Sequence, residues 1–433
     1  MANNLRIRKG STLGSYHVVE QILGQGSFGT VAKCRNTESN NTVAVKVIRG
    51  KEDFVQSAME EIDILTRLRC LDSETCNIVQ WNGFFFDKEN ICTVFELLDQ
   101  SLHEYVQEQD KWGLSVGELR PVLHQVATAV SHLHSIGFVH MDLKPHNIMV
   151  VDRHQLPLKV KLIDFGLARP VSALKQGDCM GTMCYCAPEM LLGVPFNESI
   201  DMWALGLTMT ELAMGCALYP GDAEYDVLRF VVETQGQPPD DVLDSGLYTQ
   251  TYFYTQKHGT SRWRFMTPED VYYEHGYSAS DTRKVKLSSL DEIEEAMEKD
   301  TEHQNDQKLF VSLIKSMLIL DASNRIKARE VLEHQFFAPS HIQEQGRDPN
   351  PQQAATLREK YEDPNVSETE DFTIQISHME DGVLCPTRSL TATSQEPLLG
   401  VDFKTEAKTK TKKKSWLRCI MRRVSKAFHR CFS

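Results

Sequence analysis

His140-Met141-Asp142-Leu143-Lys144-Pro145-His146-Asn147 gathers a carboxylate, an ammonium and an amide in one short run. Asp142 can accept or orient a hydroxyl, Lys144 can stabilise an anionic group in transfer, and Asn147 can hold a metal ion. Asp164-Phe165-Gly166 follows, and Asp164 offers a further oxygen ligand for a hard cation such as Mg2+. Ala187-Pro188-Glu189 closes the loop after it. Upstream, Gly24-Gln25-Gly26-Ser27-Phe28-Gly29-Thr30-Val31 lies between two apolar runs. Its glycines permit a tight hairpin whose backbone amides can approach phosphates closely. A strand on either side opposes a dinucleotide-binding turn, which needs a helix after it. Val43-Ala44-Val45-Lys46 then ends an apolar strand on a lysine. Burying a lone charge is costly, so Lys46 needs a carboxylate. Glu61, on the next helical pattern, can supply it.

Around these motifs the chain reads as two unequal halves. Residues 16–49 alternate as strands, 54–70 have helical spacing with Ile62, Leu65 and Leu68 on one face, and 91–98 (ICTVFELL) read as a buried strand. From about 117 to 337 the pattern is mostly helical, with loops near 140–190 and 245–305, the second polar and irregular. With 41% hydrophobic and 25% charged residues, the 433-residue chain is not wholly disordered, collagenous or a multi-span membrane protein. The opening MANNLRIRKG has no apolar stretch of the secretory kind. The eleven cysteines are irregularly spaced with no C-x-x-C pair, which disfavours zinc and redox motifs and favours reduced intracellular thiols. His124, His132 and His134 read as surface or packing residues, because no carboxylate or cysteine is spaced to share a metal with them.

The ordered motifs resemble the signature of eukaryotic protein kinases over residues 16–337. The resemblance implies an α+β, two-lobed fold, with a small β-rich lobe at about 16–97, a large helical lobe at about 98–337 and an insert at about 245–305. It implies ATP and Mg2+, with transfer of the γ-phosphoryl group to a protein hydroxyl. Asp142 and Lys144 would be catalytic, and Asn147 and Asp164 would hold metal. Ile22, Gly24, Gln25, Gly26, Ser27, Phe28, Gly29, Thr30, Val31, Ala44, Lys46, Glu61, Glu96 and Leu98 would surround the nucleotide, with Phe95 as gatekeeper before the hinge. Lys144 in Asp-Leu-Lys-Pro is similar to the serine/threonine class. Asp201 and Arg325 match structural anchors, Arg325 pairing with Glu189. LLGVPFNESIDMWALG, ALYPGDAEYDVLRFVVETQGQPP, WRFMTPED and DASNRIKAREVLEHQFF resemble the homeodomain-interacting protein kinases.

The activation segment departs from that pattern. Cys179 stands at the place of an autophosphorylated tyrosine, Cys186 at that of an arginine favouring proline after the target, and Met183 at that of another arginine. Thr182 is placed to contact Asp142 and Lys144. His146 replaces a glutamate, with a packing or peptide-site effect expected. Met141 replaces the arginine that a loop phosphate neutralises in other kinases, so activity without activation-loop phosphorylation is expected. The rival reading is a catalytically weak pseudokinase or scaffold; the altered loop favours it, and the filled catalytic positions oppose it.

Residues 338–403 are polar and read as a disordered linker. Residues 404–433 carry eleven basic residues against one acid, leaving 36 against 59 in residues 1–403. On a helical wheel, residues 416–432 separate an apolar face (Leu417, Ile420, Met421, Val424, Ala427, Phe428, Phe432) from a basic one (Arg418, Arg422, Arg423, Lys426, Arg430). Such a helix suits an anionic membrane or an acidic groove such as calmodulin's, with nuclear import through Lys408–Lys414 and autoinhibitory docking as the alternatives. Its apolar face disfavours nucleic acid. The expected location is cytoplasm, nucleus or both, with membrane association through residues 408–432.

Overall fold

The computed structural model describes residues 7–338, except 27–28, 51, 110–111, 257–258, 260 and 298–303. The expected linker and basic helix at 339–433, and the first six residues, lie outside the described residues.

The N-terminal part is one antiparallel sheet. Its strands are β1 (Thr12–Leu13), β2 (His17–Gln25), β3 (Gly29–Asn36), β4 (Thr42–Ile48), β5 (Trp81–Asp87) and β6 (Asn90–Glu96), in the order β1-β2-β3-β4-β6-β5. The sheet takes in Leu13, 1% exposed, upstream of residue 16. Alternation decides which side chains go where. Val43, Val45 and Val47 join Val19, Ala32, Cys34, Cys92 and Val94 in the core. Ala44 and Lys46 between them face the other way, Lys46 standing opposite Val31 on β3 and Thr93 on β6.

The helix α1 (Glu52–Leu68) buries Val55, Ala58, Ile62 and Leu65, a stripe at helical spacing, and packs on β4 and β6. This burial holds Glu61, one residue from Ile62, beside the sheet. The turn after it contains α2 (Ser73–Cys76), capped by Asp72.

The larger part begins with β7 (Gln100–Ser101) and α3 (Leu102–Glu108), followed by α4 (Val116–Ser135) and β8 (Phe138–Val139). Ser101 and Ser115 start α3 and α4 with capping boxes to Glu104 and Glu118. The region 140–190 is not only loop: β9 (Ile148–Val150) and β10 (Val160–Leu162) form a small sheet with β7, and β11 (Arg169–Pro170) pairs with β8. After α5 (Pro188–Leu191), α6 (Ser199–Met214) is apolar on nearly every face and almost wholly buried, with α4 and α12 packed on it.

Beyond α7 (Glu224–Gln235) and α8 (Asp240–Asp244), the stretch expected as an irregular loop holds real elements. These are α9 (Thr249–Tyr252), the hairpin β12 (Phe253–Thr255) with β13 (Trp263–Phe265), α10 (Pro268–His275) and α11 (Ile293–Ala296). Each is too short to show a period, and scattered anchors such as Phe253, Trp263 and Ile293 bury it. The helices α12 (Gln304–Met317) and α13 (Ala328–Leu332) complete the domain. Among the described residues no helix is long and apolar enough to cross a membrane.

Candidate active site

Lys46 brings three elements together. Its ammonium donates to both Glu61 carboxylate oxygens at 2.8 and 3.0 Å and to Asp164 Oδ1 at 3.0 Å. Burial alone would lower the lysine's pKa, but the Glu61 and Asp164 carboxylates outweigh it and hold Lys46 protonated above its ordinary value. The same ammonium holds Asp164 below the usual carboxylate range against the opposing effect of burial. Asp164 has φ +61°, a left-handed conformation uncommon outside glycine, and its side chain is 44% exposed. One cation between two carboxylates leaves this cluster a net negative charge for a further cation.

The second cluster is the loop between β8 and β9. Lys144 Nζ donates to Asp142 Oδ2 and to Thr182 Oγ1, both at 2.7 Å, while Thr182 donates to Asp142 Oδ1 at 2.7 Å. Asn147 Nδ2 donates to the Asp142 carbonyl at 2.8 Å and to Oδ2 at 3.0 Å. Its amide oxygen is the atom left for a metal. These donors orient the Asp142 carboxylate from three directions.

Two buried charge systems hold this loop. Asp201, at the start of α6, accepts from the His140 and Met141 amides at 2.8 and 2.9 Å and pairs with His134 Nε2 at 2.9 Å. Burial pushes its pKa up, yet His134 and these donors bring it below the ordinary value. Met141 has φ +70°, a conformation that its Asp201 bond helps to hold. Arg325 meets Glu189 through two bonds of 2.6 and 3.0 Å, both side chains almost fully buried, as the kinase resemblance implies. His134, expected as a surface or packing residue, is thus a hydrogen-bond partner of the buried Asp201.

The glycine-rich turn joins β2 and β3. The Gly26 amide donates to the Gly29 carbonyl at 2.9 Å, and Ser27 and Phe28 lie outside the described residues. A Cβ at Gly24 or Gly26 would meet open space, room that suits a phosphate chain. Gly29 is glycine for another reason: a Cβ there would lie 2.0 Å from the Val47 carbonyl oxygen. Gln25 and Thr30 pair across the turn, and Val31 and Ala44 share the Lys46 face. Leu98 is 8% exposed, and its amide donates to no group among the described residues, leaving a donor at the cleft edge.

One expectation needs correction. Ile22 pairs with Ala32 and so stands on the Val45 face, away from Lys46. Leu23, in the irregularity that follows, is the exposed apolar residue immediately before Gly24. A strand slipped by one reverses every face, and the bulge hides this from the spacing. The Glu96 carboxylate accepts from the Gln80 amide at 2.6 Å and from Lys161 at 2.8 and 2.9 Å, which leaves the hinge expectation for Glu96 to its main chain. Lys161, 1% exposed, is the residue that sequence reasoning missed; a lysine inside LKVKLIDF was the available signal of a buried ion pair.

Residues 16–337 match the protein kinase domain family. The chain belongs to the protein kinase family. It is 38% identical over 340 residues to "Homeodomain-interacting protein kinase 1" of Mus musculus, covering 77% of this chain and 28% of that one. "Homeodomain-interacting protein kinase 1" of Caenorhabditis elegans is 38% identical over 350 residues, covering 77% and 41%. "Homeodomain-interacting protein kinase 4" of Homo sapiens is 35% identical over 344 residues, covering 76% and 56%. The aligned region thus spans about a quarter to a little over half of these relatives' length. The two-lobed architecture is that of a protein kinase.

Proposed function

We propose that this chain is a serine/threonine protein kinase that transfers the γ-phosphoryl group of ATP to protein hydroxyls. The observation that carries the reading is the joint presence of two filled clusters, Lys46–Glu61–Asp164 and Asp142–Lys144–Thr182–Asn147. A pseudokinase would be expected to lack one of these charges.

Lys46, kept protonated by its two carboxylates, holds the nucleotide phosphates. The Gly24 and Gly26 backbone lies over them, and the Leu98 amide and Glu96 main chain meet the base. Asp142 orients the acceptor hydroxyl and takes up its proton at a carboxylate oxygen. Lys144, 2.7 Å from Asp142, offsets negative charge gathering on the transferred group. Asp164 and the Asn147 amide oxygen suit Mg2+, which when bound neutralises phosphate charge.

We further propose that the enzyme needs no phosphate on its activation segment. Met141 is an apolar side chain, 6% exposed, and brings no buried cation to be neutralised. The Thr182 hydroxyl already bridges Asp142 and Lys144 directly. Arg169 meets Glu60 of α1 at 3.4 Å, an acid already present in the chain. Cys186 and Met183 leave proline direction without its arginine. The domain layout (1–15, 16–337, 338–403, 404–433), a location in cytoplasm or nucleus, and the membrane- or calmodulin-binding tail belong to the same proposal and rest on the sequence.

The test is phosphorylation of a degenerate peptide library with ATP and Mg2+, beside an Asp142→Asn control. Incorporation that depends on Asp142 supports the kinase reading. Folded, ATP-binding protein with no incorporation above the control overturns it.

A further inference from the structure

Between Val171 and Thr182 the activation segment has few ties to the rest of the protein. The Leu174 amide bonds back to Val171 and the Asp178 amide to Lys175, both inside the segment. Among the described residues, the hydrogen bonds that lead out of this stretch belong to Gln176 and Gly177. The Gln176 side-chain nitrogen donates to the Gly193 carbonyl at 2.9 Å and to the Ser245 carbonyl at 2.8 Å. The Gly177 carbonyl accepts from the Tyr248 hydroxyl at 3.2 Å.

The surface that receives them is firmly built. Gly193 follows α5, the helix that carries Glu189 and so the buried pair with Arg325. The turn after α8 docks on the same place: the Leu247 amide donates to the Gly193 carbonyl at 3.0 Å and the Tyr248 amide to that of Leu192 at 2.9 Å. Thr249, 1% exposed, closes the turn on the Leu243 carbonyl at 2.6 Å. The Tyr248 ring lies over two glycines of positive φ, Gly177 at +88° and Gly193 at +64°. A Cβ would stand 3.0 Å from the Tyr248 hydroxyl oxygen at Gly177 and 2.8 Å from its ring at Gly193. Both backbones can therefore pass beneath the ring only as glycine. Tyr248 is nevertheless 41% exposed and Gln176 is exposed, so neither fills the core.

Four residues beyond Gly177, the segment reaches the catalytic loop. Gly181 has φ +103°, and a Cβ there would lie 2.5 Å from the Met141 carbonyl oxygen. Thr182 follows, bridging Asp142 and Lys144. Four residues make a tether of at most about 14 Å. Slack at Gln176 and Gly177 is passed on to the bridge.

We propose that Gln176 and Tyr248 form an uncharged clamp that positions the activation segment, so that Thr182 holds the Asp142–Lys144 pair without a phosphate on the segment. The inference rests on the kinase reading above and deepens it. Neither residue touches a reacting atom; both are positioning residues that act through Thr182. The chemistry of the clamp is that of a donor between two acceptors. Both partners of Gln176 are carbonyl oxygens, so only its amide nitrogen can face them, and its two protons are both used. A glutamate of the same shape has no proton to give and sets a negative charge against two carbonyls. A lysine keeps the donors at similar reach.

The experiment compares Gln176→Glu, Gln176→Lys and Tyr248→Phe in the full chain. Hydrogen exchange is followed by mass spectrometry, and peptide phosphorylation is normalised to bound ATP. In Gln176→Glu the amides of residues 172–182 should exchange about threefold faster or more, with those of α6 unaltered. Its kcat should fall about three- to tenfold with the KM for ATP unchanged, since the Lys46 cluster is untouched. Gln176→Lys should stay within about twofold of the parent, and Tyr248→Phe, which keeps the ring over the glycines, should lose about twofold. A clamp that acts through Thr182 has nothing left to hold in Thr182→Ala, so adding Gln176→Glu there should cost less than about twofold more. Unchanged exchange in Gln176→Glu overturns the clamp. So does Gln176→Lys as slow as Gln176→Glu, or losses that multiply in the double variant. A parent protein that binds ATP and phosphorylates nothing counts against the proposed function instead, and the exchange readout then decides the clamp by itself.

Discussion

The catalytic loop and the activation segment touch through Thr182, yet they are held in different ways. The loop at 140–147 rests on charges buried elsewhere in the fold, with Asp201 holding its backbone directly and Arg325–Glu189 bracing the neighbouring segment. The segment at 178–186 offers neutral donors: the Thr182 hydroxyl to Asp142, the Cys186 thiol to the Met180 carbonyl and the Tyr185 phenol to Glu211 at 2.5 Å. Charged anchors tolerate almost no change, because removing one partner strands the other in low dielectric. Neutral anchors can be exchanged at a cost near that of one hydrogen bond. The segment accordingly departs from the family resemblance at Cys179, Met183 and Cys186, while the loop keeps Asp142, Lys144 and Asn147.

The largest effect expected on the loop side is from Asp142→Asn, a loss of about 10²- to 10⁴-fold in peptide phosphorylation with ATP binding retained. A variant within threefold of the parent would remove Asp142 from the chemistry. Arg325→Ala strands Glu189 inside the protein and should cost about 3–5 kcal/mol of unfolding free energy. Denaturant titration reads this directly, and a cost under about 1 kcal/mol would mean that the pair does not anchor the fold.

On the other side of the comparison the effects shrink. Thr182→Ala removes the bridge between Asp142 and Lys144, and kcat should fall about tenfold, the scale of one charge-assisted hydrogen bond. Thr182→Ser should restore most of it; equal loss in both variants would point to packing rather than the hydroxyl. Tyr185→Phe leaves Glu211, whose pKa burial already raises, without its donor. The expected cost is about 1–2 kcal/mol in stability with the phosphorylation rate little changed. Smallest of all is the effect of phosphatase: protein stripped of phosphate should keep its rate. A rate restored only by an upstream kinase acting on the segment would place a charge requirement there after all.

Much of the site was legible because its chemistry is carried by short runs. Asp142, Lys144, Asn147, Asp164 and Lys46 announce themselves by residue type and order, and the buried lysine demands a carboxylate that Glu61 meets. The missing parts depend on facing and on distant partners. Ile22 and Leu23 exchange places because a bulge shifts the strand. The Glu96 carboxylate meets Lys161, 65 residues away, a pairing that no local pattern marks. The short elements between 245 and 297 bury single anchors and show no period.

The sequence alone determined the lobe order and carried the motifs whose resemblance underlies the proposed reaction, since short motifs and the alternation of Val43, Val45 and Val47 are local properties of the chain. Tertiary structure decided which charges meet: Lys46 with Asp164 across 118 residues, Arg325 with Glu189 across 136, and His134 with Asp201 across 67. Such contacts depend on how α6, the small sheets and the activation segment pack together, and a charge carries no mark of its partner until burial removes water as the alternative.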